Sequence, residues 1–157
     1  MNMERSKSLA PHTGKVFEAI FNFEDVKLSF YAAPHKAIPT MRRIPYLNNL
    51  YLADIESIGS MKMKTMLRRA KFRDYYDIYS IIKEGGDINK MISAALEHSE
   101  HKLRTRGLLK MLTTGQNFIK EKGFEELMPV YDVSCMDIQE YIKAKLLEVR
   151  SGIPSTV

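Results

Sequence analysis

The chain has 157 residues, enough for one domain with a real core and too few for two comfortable ones. Hydrophobic residues make up 45% and charged residues 27%, a balance ordinary for a soluble globular protein, and no apolar run approaches the ~18 residues of a membrane span, so none is expected. The net charge of +5 points toward anionic partners, and the single Cys135 excludes an internal disulfide or a multi-cysteine zinc site and fits a reducing cytoplasm.

Residues 1–14 read as a loose polar arm with breakers at Pro11 and Gly14 and no apolar secretory core. VFEAIFNF (16–23) and VKLSFYAA (26–33) are rich in β-branched and aromatic residues. They read as two strands joined by a tight turn at Glu24-Asp25, although the first could also form a short helix. Residues 34–47 hold Pro34, Pro39 and Pro45 and predict a loop, with Arg42 and Arg43 facing water or a ligand. LYLA (50–53) predicts a short strand ending where Asp54 can cap a helix.

From there the pattern is helical. Residues 55–67 carry an approximate apolar stripe of Ile55, Ile58, Met61, Met66 and Leu67. In 72–84, Phe72, Tyr75, Tyr76, Tyr79 and Ile82 recur at helical spacing, and Gly85-Gly86 ends the run. The three tyrosines could stack bases, but this spacing places them in the core. Asp87 opens a helix at 88–98, and helices follow at 102–112 and 115–122, the latter stopping at Gly123. Ser134 and Asp137 have the spacing of a capping box for a last helix at 135–150, before a frayed tail at 151–157. The expectation is a single domain over 15–150, with a small β portion (15–53) and a helical portion (54–150).

One constellation stands out. Between Lys62 and Arg73 lie six basic residues and no acid. Lys62 and Arg69 are seven apart, two helical turns, and share a face. The chain then turns and presents Arg73 and Asp74, with Asp77 positioned to pair with Arg73 at i, i+4. A solvated basic face would account for the charges. The alternative is that three cations and a carboxylate converge at a helix–helix corner, where a bound polyphosphate would relieve their repulsion. His98 and His101 lie i, i+3, but no third ligand is near to complete a metal site. Cys135 has no histidine partner in view, and the ten methionines read as adaptable core filler.

The segment DIESIGSMKMKTMLRRAKFRDYYDIYSII (54–82) resembles the nucleotidyltransferase AbiEii/AbiGii toxin family. Lys62, Arg69, Arg73, Asp74, Asp77 and Tyr79 fall on its pattern of a Lys, an Arg seven residues on, then R-D-aromatic-x-D-hydrophobic-Tyr. VKLSFYAAP and PVYDVSCMDIQEYI resemble the preceding strand and the C-terminal helix of that family. The resemblance implies an α+β, mostly helical fold, in which part of a DNA-polymerase-β-like sheet precedes a helical bundle. It implies transfer of a nucleotide from an NTP with Mg²⁺, in a bacterial phage-defence or toxin–antitoxin setting. RNA or tRNA and a cognate antitoxin are the implied partners. By the same analogy Lys62, Arg69 and Arg73 would bind the nucleotide, Asp74 would be a catalytic or nucleotide-positioning carboxylate, and Asp77 would support them.

The family holds Mg²⁺ with a Gly-Ser turn followed by a D-x-D strand, and that motif is not found in these 157 residues. Gly59-Ser60 falls inside a predicted helix with no D-x-D after it, and Asp54 and Glu56 align with a helix start. The chain therefore reads as truncated or degenerate, as one piece of a split protein, or as a non-catalytic descendant. Truncation or degeneracy is the favoured reading, with no catalysis by the chain alone. The rival is a non-enzymatic helical module that binds RNA or an antitoxin through its basic corner.

Overall fold

A computed structural model describes residues 17–23, 26–32, 43–66, 68–99 and 103–151. The fold is α+β and mostly helical, as the sequence implies. The chain divides into two compact units, Met1–Ile38 and Pro39–Val157.

In the first unit, β1 (Phe17–Phe23) and β2 (Val26–Ala32) pair antiparallel in the unbroken register Phe17↔Ala32 to Phe23↔Val26. The first segment is thus a strand rather than a helix, and the Glu24-Asp25 turn lies outside the described residues, as do 1–14 and 33–42.

The second unit opens with β3 (Arg43–Leu47) and β4 (Leu50–Ala53), also antiparallel. The expected loop over 34–47 is therefore wrong at its end. Three prolines suggest a loop, but the register shifts between Pro45 and Leu47, so the missing N–H falls at an irregularity of a two-stranded edge, where proline is tolerated. Asn48 makes the hairpin turn with φ of 45°, a left-handed conformation that asparagine adopts more readily than most residues.

Helix α1 (Ile55–Met66) begins as expected at Asp54, whose Oδ1 accepts from the Ser57 N–H at 2.7 Å. Its buried face agrees with the expected stripe only in part. Met66 is buried and Ile58 packs against the core, but Ser57, Gly59, Ser60 and Met63 are buried too, whereas Ile55 is 54% exposed. Small residues let α1 come close to its neighbours: a Cβ on Gly59 would lie 2.0 Å from the Met91 sulfur. The Ser60 hydroxyl donates to the Met91 carbonyl at 3.0 Å. Close approach at Gly59 and Ser60, together with the apolar bulk of Met63 and Met66, decides which side of α1 turns inward.

Helix α2 (Phe72–Lys83) runs through the core and ends at Gly85, whose φ is 91°. Phe72, Tyr75, Tyr76, Tyr79 and Ile82 are buried, as their spacing predicts. Tyr75 stacks on Phe118 at 4.3 Å, and its hydroxyl donates to the Leu112 carbonyl at 2.7 Å; burial raises its pKa. Tyr79 meets Tyr131 and Tyr141 edge-on at 5.6 and 5.1 Å. Helix α3 (Ile88–Glu97) is capped by Asp87, and α4 (Thr105–Leu112) buries Leu108 and Leu112.

The helix expected at 115–122 does not form. Gly115–Asn117 is a single 3₁₀ turn, and the chain then runs extended, with Ile119 bridging Lys71. Gly115 lies so close to the start of α5 (Cys135–Ser151) that a Cβ there would sit 2.2 Å from the Cys135 carbonyl oxygen, and its N–H donates to Gln139 Oε1 at 2.8 Å. Phe118 is drawn in against Tyr75, which a continuous helix would not permit at the same time.

The expected capping box opens α5. The Asp137 carboxylate accepts from the Ser134 amide at 2.8 Å and from its hydroxyl at 2.6 Å, and the Asp137 N–H donates to that hydroxyl at 3.2 Å. No helix among the described residues is long and apolar enough to cross a membrane.

Two predictions follow from α5. Gly115→Ala drives a methyl into backbone that cannot rotate away, and should cost roughly 3 kcal/mol or more in urea unfolding. The Ser134 hydrogen bonds hold the Asp137 carboxyl below its usual range. Its contribution is therefore complete above the unfolded pKa of about 3.9 and fades as pH falls through the lower folded value. Asp137→Asn should flatten the acid limb of thermal stability measured between about pH 6 and pH 2, leaving its neutral-pH shape unchanged.

Candidate functional site

The corner between α1 and α2 gathers the charged residues singled out from the sequence. Lys62 projects from the third turn of α1. After Met66 the chain makes a tight turn, with the Arg68 and Arg69 amides donating to the Thr65 carbonyl at 2.9 and 3.1 Å. Lys71 is the N-cap of α2, which puts Asp74 in the first helical turn, where the N–H dipoles favour a carboxylate.

Asp74 has no solvent exposure. Arg69 grips it side-on, Nε to Oδ2 at 3.0 Å and Nη2 to Oδ1 at 3.2 Å, and Lys62 Nζ reaches Oδ1 at 3.4 Å. Lys62 Nζ also meets Asp77 Oδ2 at 2.6 Å. The lysine thus bridges one buried and one half-exposed carboxylate, while its own side chain and that of Arg69 stay 30% and 47% exposed. A two-point guanidinium–carboxylate contact is both strong and directional, so Arg69 is held in orientation as well as position.

Lys62, Arg69, Asp74 and Asp77 therefore come together, and Arg73 does not join them. Asp77 is taken by Lys62 rather than by Arg73. Arg73 turns to Glu121, with its Nε donating at 3.1 Å and its backbone N–H at 3.2 Å to the two carboxylate oxygens. The corner holds two cations beside two carboxylates, not three beside one. Glu121 was missed in the sequence because its partner is 48 residues away and nothing in EKGFEE marks it among exposed acids.

The three tyrosines of α2 are committed to packing and leave no open ring face for a base. Gly59-Ser60 lies within α1, as expected, and Asp54 is used as its cap. His98 Nδ1 lies 3.0 Å from the Ala94 carbonyl; His101 falls outside the described residues.

Magnesium takes oxygen ligands. Both oxygens of Asp74 are buried against cationic nitrogens, and Asp77 is bound to Lys62, so this carboxylate pair does not fit a magnesium ion. Among the described residues no three or more His, Cys, Asp or Glu side chains converge.

A model of the family described as "Nucleotidyl transferase AbiEii toxin, Type IV TA system" matches residues 19–143, most of the chain and all of the α1–α2 corner. No curated protein and no solved structure gives a match.

The burial asymmetry of the cluster is testable. Replacing both cations, Lys62→Met with Arg69→Met, strands a fully buried carboxylate and should cost about 3–5 kcal/mol in urea unfolding. Asp74→Leu leaves two cations that can swing into water and should cost only about 1–2 kcal/mol. Equal losses would mean that the buried carboxylate does not dominate the cluster.

Proposed function

The chain belongs to the AbiEii nucleotidyl transferase toxin family, and from that premise we propose that the α1–α2 corner is the triphosphate-binding part of a nucleotidyl transferase. The observation that carries the reading is the fixed presentation of Lys62 and Arg69 by the buried Asp74. Phosphate groups are bound well by a pre-oriented guanidinium and an ammonium side by side. Lys62 is the exchangeable member. Its contact with half-exposed Asp77 is of the kind worth about 0–1 kcal/mol, so a phosphate oxygen can displace that carboxylate without a large penalty.

In this reading Asp74 is a positioning residue. It acts through Lys62 and Arg69, and Asp77 holds Lys62 in place until the nucleotide arrives. Arg73 is engaged by Glu121 and serves the corner by tying the start of α2 to the 118–123 segment.

Nucleotidyl transfer in this family uses an NTP with Mg²⁺, the metal stabilising charge on the transferring phosphate. The donors at this corner do not fit the ion, and the D-x-D pair is not found in the sequence. We therefore assign this chain the nucleotide-holding role, with the metal-holding carboxylates supplied from outside it and no transfer by the chain alone. The NTP is the small-molecule ligand, and an antitoxin is the counterpart that the family description implies.

The test is calorimetric titration with an NTP, followed by incubation with an α-phosphate-labelled NTP, RNA and Mg²⁺. The chain should bind the NTP, Lys62→Ala should weaken binding by about tenfold, the loss of one charge-assisted contact, and no label should transfer. Binding that is indifferent to Lys62→Ala would overturn the assignment of the corner, and label transfer would overturn the non-catalytic part.

A further inference from the structure

A second positive surface lies on α4, and it has no internal explanation. Between Glu100 and Glu121 the sequence has no acidic residue. Arg104, Arg106 and Lys110 are exposed, and none of their side chains meets a carboxylate among the described residues. By contrast, Lys90 on α3 and Lys143 and Lys145 on α5 each pair with a neighbouring acid, whereas Arg68 and Lys122 share the unpaired state of the α4 cations among the described residues.

Arg106 and Lys110 are four apart on one helix, about 6 Å along its axis, and face outward because Leu108 and Leu112 face the core. Like charges at this spacing disfavour the helix. Gly107 sits between them on the same outward side. A Cβ there would meet nothing within 4 Å, and its backbone needs no left-handed conformation. Within this chain the glycine only weakens a helix of eight residues. Both features disfavour folding, and both make sense if a polyanion lies against the helix. The bare backbone at Gly107 admits a close approach, and the flanking cations neutralise two successive charges.

We propose that the outer face of α4, formed by Arg104, Arg106, Gly107 and Lys110, binds the phosphodiester backbone of a nucleic-acid strand. Charge complementarity selects the ligand: repeated phosphates offer closely spaced negative charge without requiring a shaped pocket. Gln116 and Asn117 are also exposed just beyond α4 and carry neutral hydrogen-bonding groups.

The experiment is fluorescence anisotropy of the whole chain with labelled single-stranded RNA and DNA of one sequence, over a range of salt. Arg106→Glu with Lys110→Glu should weaken binding by about tenfold or more and reduce the slope of log K against log salt by about 1.4, the value for two phosphate contacts to a single strand. Gly107→Gln adds no charge and favours the helix, so it should raise Tm while weakening oligonucleotide binding several-fold. NTP binding at the α1–α2 corner should stay at the wild-type level in all three variants, which separates failure here from failure there. Equal loss for RNA and DNA supports backbone contact alone, and a larger loss for RNA supports added contact to its 2′-hydroxyls. Unchanged affinity in the charge-reversed variant overturns the proposal. So does a wild-type chain that binds neither oligonucleotide, whether or not it captures a polyglutamate peptide.

Discussion

A carboxylate with no solvent exposure must either be neutralised or be held by cations, and at Asp74 the second condition is met by Arg69 and Lys62. That requirement organises the corner on which the functional reading rests. Because the negative charge is interior and the positive charges are near the surface, the arrangement pulls two long side chains into fixed directions while leaving their outer edges in contact with water. A cluster of surface lysines alone would not do this, since each would lose rotamer freedom without a directional partner.

The position of Asp74 depends in turn on how α2 is seated. One side of the helix is locked by rings: Tyr75 against Phe118, Phe72 against Phe124, and Tyr79 against Tyr131 and Tyr141. Hydrogen bonds fix the tyrosine tips, from Tyr75 to the Leu112 carbonyl and from the Tyr131 amide to the Tyr76 hydroxyl. Tyr131 also donates to Glu84, which raises its own pKa to about 12, so it stays protonated throughout the neutral range. The opposite side of α2 receives α1, from which Lys62 reaches both aspartates, while the small residues Gly59 and Ser60 close on Met91 of α3. Gly115 and Gln139 hold the chain after α4 against the start of α5, which keeps Phe118 under Tyr75.

Much of this was legible in the sequence where local rules act alone. The tyrosine spacing of α2, the Asp54 and Asp87 caps, the Ser134–Asp137 box and the stop at Gly85 all follow from contacts within a few residues. The convergence of Lys62, Arg69 and Asp74 was legible too, because it spans one helix–turn–helix. What failed depended on distant partners. Arg73 chooses Glu121 over Asp77 because the segment 118–121, extended where Ile119 bridges Lys71, passes the start of α2. That segment is extended because Gly115 abuts α5, which pattern reading scored as helix. Met61 and Ile55 look like core on α1, yet Ser57, Gly59 and Ser60 are buried there beside Met63 and Met66, since packing distance as well as hydrophobicity sets that interface. Pro45 argued against a strand, and only the bulge in the pairing explains how one accommodates it.

The most direct measurement compares Asp74→Asn and Asp77→Asn in metal-free calorimetric titrations with the same NTP. If Asp74 positions the cations and Asp77 competes with phosphate for Lys62, the two changes act in opposite directions: Asp74→Asn weakens NTP binding, and Asp77→Asn strengthens it. If both substitutions merely add positive charge to a surface, both strengthen binding alike, and that result would contradict the central role given to the buried carboxylate.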